Sequence, residues 1–589
     1  MHERFSNSSR SRELDRGDRL LCLIVTAIYT VLTLINLGTL RFPKTAWTAP
    51  DDGVITFVLE NEQDVTGIWF NGNIATGRLL FSAEDGQFYE YSQVYGEMFS
   101  WKKKSVSFHT RTITAYRTSG DIALNEIAFL GADGQILTVS VTGPSGTEGA
   151  LLDEQSTVPR EATYYNGMYF DEIYHARTAY EFIHGMSVYE WTHPPLGKEL
   201  IALGVLIFGM TPFGWRVVPA LFGAAMLPLF FILGKRLFRR RDYAFLASAL
   251  FALDTMHFAQ TRIATVDVFI VFFILLMYLF MLDYLEKDYL KEPLKKLWIP
   301  LGCCGISFGL GVAAKWTGLY AGLGLAVLFF AHLIRQGLET RRDRKNARLY
   351  RRRTMLTLLY CLLFFVLLPA LIYYLSYVPF YRYEASRHAG PYGFRDSLTT
   401  LFSQQKSMFS YHSGLDATHL CQSAWYEWPF AERSVWFYFS NRGSGAVSNI
   451  SSFGNPAVWW ISAVGVILLA VDAVFGRLRK LPGEDKRSLW LLGIAVAANL
   501  LPWTLVPRCT FQYHYFPTLP FVILSAVFLL KLLEESGTLK PGIKWIWLGA
   551  AGIYFVLLLP AASGIPMPRI YAQFLEHVLP TGVLFHGAV

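Results

Sequence analysis

What most constrains this chain is the recurrence of apolar, nearly charge-free runs of about 20 residues, the length needed to cross a bilayer's hydrocarbon core. Segments 20–40, 216–237, 243–260, 266–282, 297–314, 319–334, 355–375, 456–475, 489–506, 516–533 and 545–561 are of this kind. Hydrocarbon offers backbone amides no water to bond, so such runs fold as helices. The pattern predicts a polytopic α-helical membrane protein with about eleven transmembrane helices. Only 17% of the residues are charged, against roughly a quarter in soluble domains. The formal charge of +8 gives no reason to expect nucleic acid, because most Lys and Arg lie in short loops between the runs. That is where cytoplasmic loops carry them. By this rule the basic residues 1–19 (Arg4, Arg10, Arg12, Arg16, Arg19) stay in the cytoplasm. No small-residue cleavage site follows segment 20–40, which therefore reads as a retained anchor in the plasma membrane.

Residues 50–155 interrupt the helical pattern. Short alternating runs, among them 54–59, 78–81, 105–108, 112–116, 124–130 and 135–141, alternate with Asn71-Gly72, Asp85-Gly86 and Asp133-Gly134 as turn signals. They predict an extracytoplasmic β-sandwich, jelly-roll-like in its last strands. Trp69, Tyr89, Tyr91 and Trp101 offer it a carbohydrate contact, although an aromatic in a small sandwich more often belongs to the core.

The stretch from Tyr169 to Arg216 opens a region, 165–375, in which ionisable residues stand among apolar ones. Such groups are costly near a bilayer and are kept mostly for function. The alternation of spans places Asp171, Glu172, His193 and Lys198 in the first external loop and Arg216 at the outer end of the second span. Arg262 and Asp267, then Lys315, fall in outer turns. A further external loop, 376–455, precedes a four-helix region, 456–563, whose outer turn carries Arg508 and His514; residues 564–589 form an external tail. Singly, each Lys or Arg reads equally well as an interfacial anchor. Collected on one face, carboxylates and cations suit a lipid-linked phosphosugar: a carboxylate takes the proton of an acceptor hydroxyl while cations neutralise the departing phosphate. The inner loops carry no glycine-rich phosphate loop. The six cysteines show no metal spacing, and a disulfide between the outer-side Cys421 and Cys509 is allowed without being required. No metal site and no cofactor are expected, with divalent-metal dependence left open.

The runs Phe170-Asp171-Glu172, His193-Pro194-Pro195-Leu196-Gly197-Lys198, Trp215-Arg216-Val217-Val218-Pro219, Arg262-Ile263-Ala264-Thr265-Val266-Asp267, Lys315-Trp316-Thr317-Gly318 and Gln512-Tyr513-His514-Tyr515-Phe516-Pro517 resemble the protein O-mannosyltransferase family. Tyr411-His412-Ser413-Gly414-Leu415 and Trp425-Tyr426-Glu427-Trp428-Pro429 are similar to its bacterial members. The resemblance implies a glycosyltransferase C fold and inverting transfer of mannose from a polyprenyl phosphate to Ser or Thr hydroxyls of exported proteins. It implies Asp171 as general base with Glu172 in support, and Asp267 as a second acid near the sugar. His193 and Arg216, and more weakly Lys198, would contact the donor phosphate; Arg262 and Lys315 would support them, and Arg508 and His514 join the candidate binding set. Eukaryotic members carry a sugar-binding domain in the later external loop, for which 376–455 is too short. Another sugar, a glycolipid or wall-polymer acceptor, or a transporter of lipid-linked sugars remain the alternatives.

Overall fold

The computed structural model describes residues 13–341, 343–443 and 445–578, which leaves Arg4, Arg10, Arg12 and the end of the expected external tail outside the described residues. The chain forms two compact units, Asn36–Tyr180 with Ala202–Val217, and Met1–Ile35 with Glu181–Ile201 and Val218–Val589.

The first unit is built on β1 (Trp47–Thr48), β2 (Ile55–Gly72), β3 (Gly77–Ala83), β4 (Phe88–Gln93), β5 (Trp101–Gly120), β6 (Ala123–Gly131) and β7 (Val139–Thr142). They pair antiparallel in the order β1-β6-β2-β5-β3-β4, with β7 also on β2. β2 and β5 are long, and their register breaks between Val58 and Gln63 and again between Val65 and Gly67. The first half of β2 pairs with β7 and the second half with β6. The Phe70 ring on β2 stacks on Tyr91 of β4 with centroids 4.0 Å apart, and lies 5.6 Å from Phe81 of β3. In a flat sheet β2 and β4 would stand three ladder steps apart, roughly 14 Å. The sheet therefore bends at its bulges and folds its halves over a common core of Phe57, Phe70, Phe81, Tyr91 and Phe129.

Several local expectations change. Asn71-Gly72 is not a turn but the paired end of β2, where the Asn71 side chain is buried and accepts from Asn125 at 2.8 Å. Segments 105–108 and 112–116 belong to the single strand β5. Trp69 and Trp101 are buried edge-to-face at 6.2 Å, and Tyr91 is buried in the stack, so these three rings are core. Glu126 on β6 is also buried and accepts the Glu154 N–H at 2.9 Å and the Gln155 amide; burial pushes its carboxyl up to about 8. The Glu154 carboxylate in turn caps the N–H groups of Lys44 and Thr45. The ligand atoms of Glu126, Asp153 and Glu154 lie within 4.8 Å of one another, but this hydrogen bonding makes them a clamp for the chain leaving the sheet.

The second unit is helical. Nine described helices are long and apolar enough to cross a membrane: Arg16–Leu34, Pro212–Phe238, Asp267–Leu285, Leu294–Ala314, Gly318–Thr340, Arg344–Ser376, Pro456–Val474, Gly483–Leu505 and Ile543–Ser563. The other two expected spans are shorter elements. Segment 243–260 is broken at Leu253-Asp254 into Arg241–Ala252 and Thr255–Thr261, and the last expected inward run is Leu519–Glu535. The break has a local cause: the Asp254 carboxylate caps the second piece by accepting the His257 N–H at 2.9 Å. Asp267–Leu285 is apolar on every side and buried along most of its length, as expected of a helix surrounded by other helices. Arg344–Ser376 faces outward, and contains a π turn at Leu363–Leu367 just before Pro369, whose missing N–H cannot continue the α ladder.

Phe70→Ala removes the ring shared by both halves of the sheet and is expected to destabilise the β unit by about 3–5 kcal/mol. Protease sensitivity of residues 47–142 against temperature measures it; an unchanged profile would mean that the halves do not pack through this ring.

Candidate active site

In the first unit, Asp171 and Glu172 are adjacent in sequence and opposite in environment. Phe170 sits at φ 49°, in the left-handed region that a bulky residue rarely occupies, and turns the chain into helix Glu172–His184. The Asp171 carbonyl accepts the first helical N–H groups, from Tyr174 and His175, while its side chain stays partly exposed. Glu172 is fully buried. Its Oε1 accepts from Arg216 Nε at 2.7 Å, and Oε2 accepts from Arg216 Nη2 at 2.7 Å and from the Trp215 indole at 3.1 Å.

Arg216 is fully buried as well. Nη1 donates to the carbonyls of Leu37 and Tyr164 at 2.9 and 2.8 Å, and Nη2 donates to that of Gly167 at 2.7 Å. With the two bonds to Glu172, all five guanidinium N–H groups are used. The expectation that Arg216 holds a donor phosphate is therefore corrected. It ties the loop bearing the acidic pair to the start of helix Pro212–Phe238, and no donor is left for a ligand. Glu172 is its counter-charge, which positions the chain at Asp171.

In the second unit Lys198 departs from its assignment, and Arg262 bonds to backbone. Lys198 is fully buried and donates to the carbonyls of Glu190 and His193 at 2.8 and 2.9 Å and to the Glu190 carboxylate. It closes the turn before helix Leu196–Phe208 and is not a phosphate ligand. Arg262 Nη1 donates to the carbonyls of Leu32, Thr33 and Ile35, at 3.2, 3.1 and 2.6 Å, and so caps helix Arg16–Leu34. A cation there also offsets the negative end of the helix dipole.

A cavity of about 280 Å³ collects other members of the expected set. His193, Lys315 and Arg508 line it, with His412, Trp316 and Trp503; Leu319, Tyr320, Phe409, Leu505 and Val506 give it an apolar side. Lys315 follows helix Leu294–Ala314 and pairs at 2.7 Å with Asp267, the first residue of helix Asp267–Leu285. His193 Nδ1 lies 3.1 Å from the Glu190 carboxylate, which also receives the Thr192 hydroxyl. His412 donates from Nε2 to the Thr192 carbonyl at 2.7 Å, and its ring centre lies 5.6 Å from that of His193. Trp316 is fixed by its indole N–H to the Tyr373 hydroxyl at 2.9 Å, which donates to Gln405 at 2.6 Å. His514 does not line the cavity: it is buried beside Trp503, ring centres 4.5 Å apart, and braces that wall.

The charges in this cavity are unevenly neutralised. Lys315 has Asp267, whereas Arg508 has no ion-pair partner among the described residues. Burial pushes the imidazoles of His193, His412 and His514 down, His412 to about 4, and the nearby cations add to the shift. They stay neutral around pH 7 while the cavity is empty. A bound anion would favour their charged forms, so the site is suited to an anionic group attached to an apolar chain.

Glu190 and His412 escaped the sequence reading as site residues. Glu190 had a signal, a carboxylate three residues before His193, but its burial was not legible. His412 stood inside a quoted family run without an assigned role.

Nine described helices long and apolar enough to cross a membrane, with a cavity suited to an anion at helix ends, describe a multi-pass membrane protein. The fold agrees with that of a Saccharomyces cerevisiae protein O-mannosyltransferase complex solved with the sugar donor bound, with a TM-score of 0.59 at 14% identity over 70% of this chain and 89% of that one. The family described as dolichyl-phosphate-mannose-protein mannosyltransferase matches residues 205–381, and the C-terminal four-transmembrane region of protein O-mannosyltransferase matches residues 397–578. The chain belongs to the protein O-mannosyltransferase family. A polyprenol-phosphate-mannose–protein mannosyltransferase of Mycobacterium tuberculosis is 27% identical over 455 residues, covering 68% of this chain and 84% of its own. One from Corynebacterium glutamicum is 28% identical over 391 residues, covering 59% and 72%.

Two outcomes follow from this geometry. Arg216→Lys offers at most three donors where five are used, so it is expected to destabilise the first unit by about 3 kcal/mol, the scale of a broken buried pair. Thermal unfolding reads this, and a variant with unchanged melting would restore Arg216 to the ligand set. The buried neutral imidazoles set a pH dependence. Their folded values lie below the unfolded 6.5, so the unfolded chain binds more protons in the interval; stability present above about pH 6.5 is lost as pH falls toward 4. His412→Gln is expected to flatten this loss in a melting series, and an identical slope would assign it to other groups.

Proposed function

We propose that this protein transfers mannose from a polyprenyl-phosphate-mannose donor to Ser or Thr hydroxyls of exported polypeptides. The observation that carries the reading is the cavity of His193, Lys315, His412 and Arg508 against an aliphatic and aromatic side. Its volume of about 280 Å³ suits a headgroup with the first part of a prenyl chain, not a whole lipid. The family relatives named as acting on polyprenol-phosphate mannose supply the sugar.

The reaction runs with inversion. The family resemblance assigns the acceptor's hydroxyl proton to Asp171 as the acceptor oxygen attacks C1 of mannose and the bond from C1 to the phosphate oxygen breaks. The electrons of that bond leave on the polyprenyl phosphate, whose charge Arg508 meets directly and Lys315 and the two imidazoles meet through hydrogen bonds. Glu172 holds the loop of the base through Arg216, and Asp267 orients Lys315. No cofactor enters this scheme; a chelator arm in the transfer assay measures any divalent-metal requirement.

The reaction takes place on the extracytoplasmic side. Lys235 and Arg236 at the end of helix Pro212–Phe238, the basic run from Arg335 to Arg353, and Arg477, Arg479 and Lys480 lie at the helix ends remote in sequence from the cavity residues. Positive residues concentrate on the cytoplasmic side, and this orientation also keeps the N-terminus there.

Two variants test the scheme with different readouts. Asp171→Asn keeps the shape of the base and removes its basicity, so turnover of a peptide acceptor is expected to fall roughly 10²-fold or more with donor affinity retained. Arg508→Gln removes the cation without a carboxylate partner, and is expected to weaken binding of polyprenyl phosphate by roughly ten- to a hundredfold. Normal turnover in the first moves the base elsewhere; unchanged lipid affinity in the second moves the phosphate out of this cavity.

A further inference from the structure

A second, more polar cavity of about 530 Å³ adjoins the first and shares Trp503, Val506, Pro507 and Arg508 with it. Two loops form it, one around Asp416–Arg433 and the other running from Trp503 to Thr510. They are tied where Ser423 N–H donates to the Thr510 carbonyl at 2.9 Å and the Thr510 hydroxyl donates to the Ser423 carbonyl at 2.7 Å. The second tie is at His419. Its ring lies edge-on to Phe511 at 5.2 Å, and its backbone N–H donates to Gln422 Oε1 at 3.2 Å. Segment 419–423 therefore runs along 509–511 with contacts at both of its ends. Cys421 lies between those contacts, buried, with its own N–H donated to His419 Nδ1 at 3.0 Å. Cys509 is half-buried and follows Arg508 directly.

We propose that Cys421 and Cys509 are a redox modification site: they form a disulfide that staples the two loops and holds Arg508 at the wall between the cavities. The inference rests on the extracytoplasmic orientation proposed above, since disulfides persist in oxidising compartments. The step is a thiol–disulfide exchange with an oxidised dithiol oxidoreductase. Both Cys–SH groups lose their protons, one S–S bond forms between Cys421 and Cys509, and the two electrons reduce the disulfide of the oxidoreductase to two thiols. Burial pushes both thiols up, which is unlike a cysteine kept as a ready nucleophile and agrees with a structural bond. The other four cysteines lie outside the two loops: Cys22, Cys303, Cys304 and Cys361 are on helices Arg16–Leu34, Leu294–Ala314 and Arg344–Leu362.

The test uses the full-length protein in its own membranes, denatured without reductant in the presence of a maleimide. Four of the six cysteines are expected to be labelled, and all six after reduction. The unreduced digest should contain one cross-linked species joining the Cys421 and Cys509 peptides. Cys421→Ser is expected to label at five positions with or without reductant. Six labels before reduction, or a cross-link joining any other pair, overturns the proposal. This readout needs no turnover, so its failure is distinguishable from failure of the transferase reading. A second arm addresses Arg508. Reduction is expected to weaken polyprenyl-phosphate binding severalfold in the wild type and to leave Cys421→Ser, already weakened, unchanged. Equal affinity before and after reduction of a protein shown to carry the bond would overturn the role of the staple.

Discussion

The first unit depends on one buried ion pair. Glu172 and Arg216 are both fully excluded from solvent, where each charge alone would cost several kcal/mol. They are tolerated because every hydrogen-bonding position is filled: three carbonyls and two carboxylate contacts for the guanidinium, and an indole besides for the carboxylate. The carbonyls come from Leu37, Tyr164 and Gly167, so one side chain gathers the chain entering the unit and the loop ahead of the acidic pair. The strained Phe170 is held between these ties. Such strain persists only where its surroundings over-determine it, and here it sets the direction in which Asp171 leaves the loop.

The same logic runs through the helical unit with a different result. Asp18 is buried against Lys235 and Arg241, Glu190 against Lys198, and Asp267 against Lys315. In each case a cation that looked available in the sequence is neutralised locally and serves to fix a turn or a helix end. Arg508 is the exception in the cavity. An excess cation beside apolar residues is unfavourable when empty and is relieved by an anion, a difference that a ligand phosphate can use. Burial is the main cause of the depressed imidazoles around it, and Lys315 or Arg508 adds to the shift of each.

How legible this was depended on the kind of information. Apolar run length is local, and it located nine of the expected spans; of the two that are shorter elements, 243–260 is broken where Asp254 caps its second piece, a polar role that hydropathy does not register. Strand periodicity is local too, but the continuity of β2 and β5 through their bulges is not, which is why one strand read as two segments and Asn71-Gly72 as a turn. For the site, residue type and family spacing identified the right neighbourhood and could not separate ligand from scaffold. Arg216, Lys198 and Arg262 had the composition of phosphate ligands. The donors of Arg216 and Lys198 are taken by carbonyls and by Glu172 or Glu190, and Nη1 of Arg262 by carbonyls as much as 230 residues away in sequence, a fact no motif contains. Glu190 was invisible for the converse reason: only burial distinguishes a carboxylate that orients His193 from one on a surface.

This separation of scaffold from ligand also bears on how the fold can change substrate while keeping its chemistry. The groups that bind carbonyls, Arg216, Lys198 and Arg262, cannot vary without loss of folding, because each replacement leaves buried acceptors unsatisfied. The cavity lining is less constrained: Leu319, Phe409, Leu505 and Val506 contribute area and shape, for which volume-conserving exchanges are tolerated. The two loops that share Arg508 carry the polar residues Asp416, Gln422 and Arg433 toward the second cavity. On the proposed reading, variation in those loops reshapes the second cavity beside Arg508. The buried framework is thus held by its hydrogen bonds to carbonyls, while the loops that share Arg508 between the two cavities are held to each other at Ser423 and Thr510.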